Sequence, residues 1–327
     1  MQQHPEQAPA IDAAALRAGN RRALAKAITL IESSRAAHRE RAQALLEALL
    51  PYTGDSIRIG ISGAPGVGKS TFIEAFGARL LSAGKRLAVL AVDPSSPVAG
   101  GSIMGDKTRM EQLARQPQVF IRPSPSGGAL GGVAQKTRES VLLCEAAGYD
   151  VIVVETVGVG QSEFQVAAMV DFFMLLILPG SGDELQGIKK GIVELAHALV
   201  INKADGDGER LASITQGQYQ SALGLLRSES HWQPEVRRCS ALRNTGIDAI
   251  WSMIERFVSL SGENGSRARR RAGQSRDWMR QLVREGLLER LHGSEAVRRA
   301  LPRLEAAVEA GETTPFNAAR RVLALLD

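Results

Sequence analysis

The stretch GAPGVGKST at 63–71 constrains this chain more than any other. It follows a β-branched run, IRIGIS at 57–62, and opens a helical pattern that runs to about Ser82. A strand, a glycine-rich turn and a helix in that order aim backbone N–H groups at one point in front of a helix N-terminus, and that point attracts phosphate. Gly63, Gly66 and Gly68 supply the backbone freedom, and Ala64, Pro65 and Val67 fill the positions between them. Lys69 brings a compact charge to the β and γ phosphates, the Ser70 hydroxyl reaches Mg2+, and Thr71 continues the helix start. The chain holds 32 Arg but 8 Lys, so a lysine here is a chosen residue and not a generic base.

Around this loop, short apolar runs alternate with helical stretches. LAVLAVD at 87–93, VFIRP at 119–123, VIVVET at 151–156, FFMLLILP at 172–179, HALVINKAD at 197–205 and EVRRCSAL at 235–242 join the first run to make seven expected strands. Near-continuous apolar strands joined by helices predict an α/β fold with a doubly wound, mainly parallel sheet, whose ligands sit beyond the carboxyl ends of the strands. Leu24, Ile28 and Ile31, then Leu45, Leu46 and Leu49, recur at helical spacing ahead of the sheet, and residues 1–10 read as a frayed tail. Near the other end, SGENGSRARRRAG at 261–273 reads as a boundary, after which the pattern is wholly helical. Trp278, Leu282, Val283, Leu287, Leu288 and Leu291 form one apolar stripe, Pro302 is expected to interrupt the helix, and Phe316, Val322, Leu323 and Leu325 close the chain. The expected organisation is a helical extension at 1–53, a nucleotide-binding domain at 54–261 and a helical arm at 262–327. Sixty-odd residues bury little core alone, so the arm is expected to dimerise.

The base is read from Asn202-Lys203-Ala204-Asp205 at a strand end. The Asp205 carboxylate offers two acceptors to the ring N–H and exocyclic amine of guanine, and adenine has no such donor pair. Asn202 would brace the loop, the Lys203 stem would lie along the ring, and Ser240, Ala241 and Leu242 would offer backbone N–H groups to the guanine oxygen. GTP or GDP is thus the expected ligand. Asp93 ends the second strand, Asp106 follows a glycine-rich stretch and Glu155 ends the fourth strand. Any of the three, with Ser70, would hold Mg2+ directly or through water. Lys69, Asp93 and Glu155 are the expected catalytic groups. After Gly158 comes Val159, where small GTPases carry the glutamine that orients water, so slow intrinsic hydrolysis is expected. Gln161, Gln186 and Glu155 are the alternatives for that role.

Other classes are excluded on composition. The longest apolar run, 172–178, is far short of the ~20 residues of a membrane span, and the first thirty residues hold no apolar block of signal-peptide length. A cytoplasmic protein without membrane contact is expected. Cys144 and Cys239 make no disulfide framework and read as core residues. Residues 262–327 carry 13 Arg against 9 acids, but they alternate with Glu and Leu without interleaved aromatics, the pattern of a solvated helix face and not of a nucleic-acid site.

The stretches ALAKAITLIES, GISGAPGVGKSTFIEAFG, VLAVDPSSPVAGGSIMGDKTRM, RPSPSGGALGGVAQKT, VETVGVGQSE and INKAD occur in this order. Together they resemble the MeaB/ArgK group of P-loop GTPases, to which human MMAA is related, over almost the whole chain. The resemblance implies a homodimeric GTP hydrolase that acts as chaperone to adenosylcobalamin-dependent methylmalonyl-CoA mutase. Such a chaperone couples GTP state to loading of intact cofactor and protects the mutase from inactivation. It also implies that the loop at 179–190 is an additional switch that senses the mutase, with Asp183, Gln186 and Lys189 its residues of interest. Two alternatives of other kinds are a nickel or cobalt metallochaperone, for which the five scattered histidines are poor ligand stock, and an ATP-using kinase linked to amino-acid transport, against which Asp205 argues. A module that binds nucleotide without hydrolysis is left open by Val159.

Overall fold

Runs such as Leu87–Val92, Val151–Thr156 and Phe172–Ile177 are buried at all six positions, which requires a sheet covered on both faces. The computed structural model describes residues 11–92, 110–123, 130–156, 162–181, 190–224 and 232–326. Seven strands, β1 (Ile57–Gly63), β2 (Leu87–Val92), β3 (Val119–Arg122), β4 (Val151–Thr156), β5 (Phe172–Ile177), β6 (Ala198–Ile201) and β7 (Glu235–Arg238), form one sheet in the order β3-β2-β4-β1-β5-β6-β7. All neighbouring pairs are parallel. Each of the seven expected strands is present, and the apolar runs overshoot most of them by one or more residues. β1 lies in the middle of the sheet, so its carboxyl end faces a crevice between crossovers that leave in opposite directions, where open α/β sheets bind ligands.

Side chains alternate across the sheet. Ile152, Val154, Phe173, Leu175, Leu199 and Ile201 point into one core, and Val151, Val153, Phe172, Met174, Ala198 and Val200 into the other. The first core is covered by α1 (Ala13–Arg17), α2 (Arg21–Glu32), α3 (Ala36–Leu49), α6 (Leu130–Ala146), α7 (Ser162–Ala167), α8 (Lys190–Leu195) and α9 (Gly208–Gly224). The second is covered by α4 (Lys69–Ser82), α5 (Glu111–Ala114) and α10 (Ile247–Glu263), with Phe76 in ring contact with Phe72 and Trp251, and Phe257 with Phe172 of β5. The amino-terminal helices are therefore part of the main body: Leu24, Ala27, Ile28 and Ile31 at i, i+3, i+4, i+7 bury one face of α2, which the Asn20 side chain caps through Arg22 N–H and Ala23 N–H. At the amino ends of the strands, buried Glu145 receives two hydrogen bonds from Arg58, at 2.9 and 2.8 Å. Cys144 and Cys239 are buried free thiols, and burial pushes Cys239 up to about 12. His197 is also a core residue, its Nδ1 accepting from Phe173 N–H at 3.0 Å.

The chain divides into two compact units, Met1–Arg267 and Ala268–Asp327. The division falls within the polar stretch at 261–273, most of which is helical. α10 runs to Glu263, and after Asn264 and Gly265 the chain is helical again as α11 (Ser266–Gly293), arginine run included. Pro302 does not interrupt its helix either; it lies inside α12 (Glu295–Glu309). The carbonyl it leaves without a donor belongs to Arg298, and both residues are exposed, so water takes the missing bond. The break falls instead at Gly293-Ser294, where Ser294 caps α12 through Val297 N–H. α13 (Pro315–Leu323) ends the second unit, capped by Thr314 through Asn317 N–H. No described helix is long and apolar enough to cross a membrane.

Candidate nucleotide site

At the carboxyl end of β1 the chain must turn sharply and stay thin. Gly63, Gly66 and Gly68 all have positive φ, at 156°, 79° and 92°. A Cβ on Gly63 would stand 2.6 Å from Leu176 O on β5, and one on Gly68 would stand 2.9 Å from Asn202 Nδ2. Side chains are thus excluded by conformation and by space at once. Val67 is fully buried beneath the loop, while Pro65 and Gly66 are exposed above it. Gly68 caps α4, so Lys69, Ser70 and Thr71 are its first three residues.

The Lys69 ammonium curls back into this turn and donates to Gly63 O at 2.7 Å and Ala64 O at 3.3 Å. Burial draws its pKa below the usual lysine range, and the nearby carboxylates of Glu155 and Glu163 oppose that shift. An ammonium held by its own loop's carbonyls is one that a phosphate can reclaim. Ser70 Oγ makes no hydrogen bond within the described residues and is half-buried. Glu155 is 5% exposed and lies opposite Ile61 on one side and Ala91 on the other, two residues short of the loop. Next to it, Thr156 Oγ1 donates to Ser62 Oγ at 2.9 Å, tying the ends of β4 and β1.

The residues after β6 reach the same place. Asn202 is 2% exposed. Its Nδ2 donates to Val67 O at 2.9 Å and its Oδ1 accepts from Ala241 N–H at 3.1 Å. One side chain therefore binds the phosphate loop to the segment after β7. Lys203 adopts φ 59°, a left-handed turn, and its carbonyl would clash at 2.5 Å with any Cβ on Gly208. The half-buried Asp205 carboxylate has no hydrogen bond within the described residues. Ser240 N–H and Thr245 N–H pair with each other's carbonyls. The expectation of three amides for the guanine oxygen is therefore narrowed: Ser240 N–H and Ala241 N–H are already bonded, which leaves Leu242 N–H, on a residue 76% exposed.

Glu163 was not singled out by sequence reasoning, although VGQSE contains it. It is 4% exposed, and its one signal is an acid at the start of α7. Asp93, Asp106, Gly158, Val159, Gln161, Asp183, Gln186 and Lys189 lie outside the described residues. A cavity of about 430 Å³ lined by Arg21, Arg22, Phe120 and Arg122 lies at the β3 edge of the sheet and includes none of the site residues.

The donor set fits a guanine nucleotide with Mg2+: a glycine cradle, a lysine held provisionally by carbonyls, a helix-start hydroxyl, a buried carboxylate near the end of β4 and a carboxylate open to a base. The comparisons agree. Residues 24–296 match the family model described as methylmalonyl Co-A mutase-associated GTPase MeaB. A putative GTPase of Caulobacter vibrioides is 55% identical over 97% of this chain and 98% of its own length. GTPase ArgK of Escherichia coli is 50% identical over 94% and 93%, and the mitochondrial methylmalonic aciduria type A homolog of Mus musculus is 48% identical over 93% and 76%. A solved structure described as LAO/AO transport system kinase superposes with a TM-score of 0.78 at 42% identity, covering 96% of each chain. These findings support guanine-nucleotide binding and GTP hydrolysis, and with them the chain belongs to the MeaB family of mutase-associated GTPases.

Proposed function

We propose that this chain is a slow GTP hydrolase that acts as chaperone to adenosylcobalamin-dependent methylmalonyl-CoA mutase, coupling its nucleotide state to cofactor loading and protection of the mutase in the cytoplasm. The observation that carries the reading is the joining of the phosphate loop to the base-reading segment through Asn202, in a chain that matches this family. Gly63 to Thr71 hold the triphosphate, the Asp205 carboxylate accepts from guanine, and the Lys203 stem covers the ring. Lys69 exchanges the carbonyls of Gly63 and Ala64 for β and γ phosphate oxygens and stabilises the charge that develops on the transferred group. Ser70 and Glu155, with Asp93 and Asp106, would hold Mg2+, whose chemistry when bound is to neutralise phosphate charge.

Residues 179–190 are proposed to sense the mutase, with Asp183, Gln186 and Lys189 as the contacts. The start of that stretch is anchored: Gly180 N–H donates to Thr215 Oγ1 at 2.9 Å. The arm at 262–327 is proposed as a homodimer interface, supported by exposed Met279, Val283, Leu287, Leu288 and Phe316 on its helices. Single-turnover phosphate release, measured with and without the mutase from the same genome, tests the reading. Faster release with mutase is expected, and an unchanged rate overturns the chaperone assignment. Equal calorimetric affinities for GTP and ATP would overturn the base assignment.

A further inference from the structure

β3 ends the sheet on one side, and among the described residues no strand lies beyond it. Leu87 of β2 lies opposite Val119, and Leu87 N–H donates to Gln118 O at 3.1 Å. In a parallel ladder that register commits the backbone groups of Gln118, Phe120 and Arg122 to β2 and turns those of Val119 and Ile121 to the other side. Val119 N–H is taken by Gln116 O at 3.2 Å. The Val119 carbonyl and both backbone groups of Ile121 therefore face outward at the edge.

The space along this edge is cationic. The cavity of about 430 Å³ is lined by Arg21, Arg22 and Ala25 of α2, Ala114 of α5 and residues 120–123. Its walls are thus two helices that cover opposite faces of the sheet, and its floor is β3. Arg122 is neutralised, its Nε donating to Glu32 Oε1 at 3.0 Å and its Nη2 to Glu32 Oε2. Arg21 Nη1 has a long hydrogen bond to Gln116 O, at 3.4 Å, and the Arg22 guanidinium has no hydrogen bond or ion pair within the described residues. Both arginines are exposed. A small-molecule pocket covers most of its ligand, whereas this one is a trough open along a strand.

We propose that the β3 edge is a docking groove for an extended, acidic segment of a partner protein, which joins the sheet as an added strand. Main-chain hydrogen bonds to Ile121 fix the register of such a strand. Its side chains alternate between the α2 wall and the α5 wall, so carboxylates at every second position meet Arg21 and Arg22, and apolar residues between them meet Ala114. A second copy of this chain is the wrong occupant: paired edge to edge it would bring the same arginines together, and the chain carries a net charge of +5. Charge along a sheet edge keeps like-charged strands away; here its sign also selects the strand that fits.

The groove shares no residue with the nucleotide site, so the inference does not rest on the GTPase reading. The test uses the full chain with GDP and a capped hexapeptide that alternates valine and glutamate, followed by NMR. Saturating peptide is expected to slow exchange of the Ile121 amide by about tenfold or more. Arg21→Glu combined with Arg22→Glu sets like charges against the peptide and should weaken binding at least about tenfold, with GDP affinity and melting temperature kept. N-methylation of the peptide separates backbone pairing from charge alone: methyls on one alternate set of amides should abolish binding, and methyls on the other set should leave it. Equal binding of the two methylated peptides, equal protection of Ile121 by citrate, or unaltered binding to the double variant overturns the inference. An Ile121 amide already protected in the free chain also overturns it, because the chain itself then covers the edge, and so does a peptide that fails to bind at millimolar concentration.

Discussion

Asn202 and Val67 are 135 positions apart, yet the Asn202 side-chain amide donates to the Val67 carbonyl at 2.9 Å, while the same side chain accepts from Ala241 N–H. The amide group is thus the joint at which phosphate and base recognition meet. A carboxylate in its place could not donate to Val67, and a lysine could not accept from Ala241. The asparagine is therefore required for its pair of opposite hydrogen-bonding atoms.

Asn202→Ala strands the Val67 carbonyl and the Ala241 amide in a buried setting. Each stranded group costs about 1–3 kcal/mol. The expected outcome is a loss of stability of at least that order in urea titration, together with weaker GDP binding. Unchanged stability would show that the two segments are held by other contacts.

Asp205→Asn replaces two acceptors with one acceptor and one donor. The variant should fold normally, because the carboxylate makes no hydrogen bond within the described residues. GTP affinity should fall by orders of magnitude, up to about 10⁴-fold, since a ligand donor is left opposite a donor. Xanthine, which presents a carbonyl where guanine presents its amine, should bind the variant better than guanine does. Calorimetry with the two nucleotides decides it, and an unaltered preference for guanine removes the role assigned to Asp205.

The strands were legible because a sheet covered on both faces leaves no choice of side-chain polarity: Val151–Val154 can be nothing but core. The phosphate loop was legible because Gly63 and Gly68 are demanded by conformation and by space together. What escaped depended on distant partners or on solvent. Pro302 looks like a helix stop, but its place on the exposed face of α12 lets water complete the bond. Glu163 is one acid among 35 Asp and Glu, and only the packing of α7 on Gly60 shows that it is buried at the carboxyl end of the sheet. The amides of Ser240 and Ala241 looked available until Thr245 and Asn202 were seen to occupy them.

Glu139, on α6, carries a pH-dependent stability. Burial raises its carboxyl above the ordinary range, against the hydrogen bond from Gln43 Nε2 at 2.7 Å and the pull of Gln135, Lys136 and Arg39. Its pKa in the native state exceeds the unfolded value of about 4.3, so the native state binds the proton more tightly. Stability therefore falls as pH rises from the unfolded value through the native one and stays lower above it. Glu139→Gln cannot ionise and still offers an acceptor to Gln43. Thermal melts should show the variant more stable than wild type at about pH 7.5, with the gain gone near about pH 4. A gain of equal size at both pH values would trace the effect to packing.

The second unit leaves its apolar residues in a row. Met279, Val283 and Leu287 follow at i, i+4, i+8 on α11 and are 54%, 54% and 56% exposed, an arrangement that water disfavours and a second copy would bury. Because this row belongs to the unit Ala268–Asp327, while every nucleotide contact proposed above belongs to the other, association and nucleotide binding can be altered separately. Val283→Glu combined with Leu287→Glu puts two charges into the row without touching α4 or the segment after β6. Light scattering at micromolar concentration should give a dimer mass for wild type and a monomer mass for the variant, with GDP affinity the same in both. A wild-type monomer, or a variant that remains dimeric, would remove the arm from the interface.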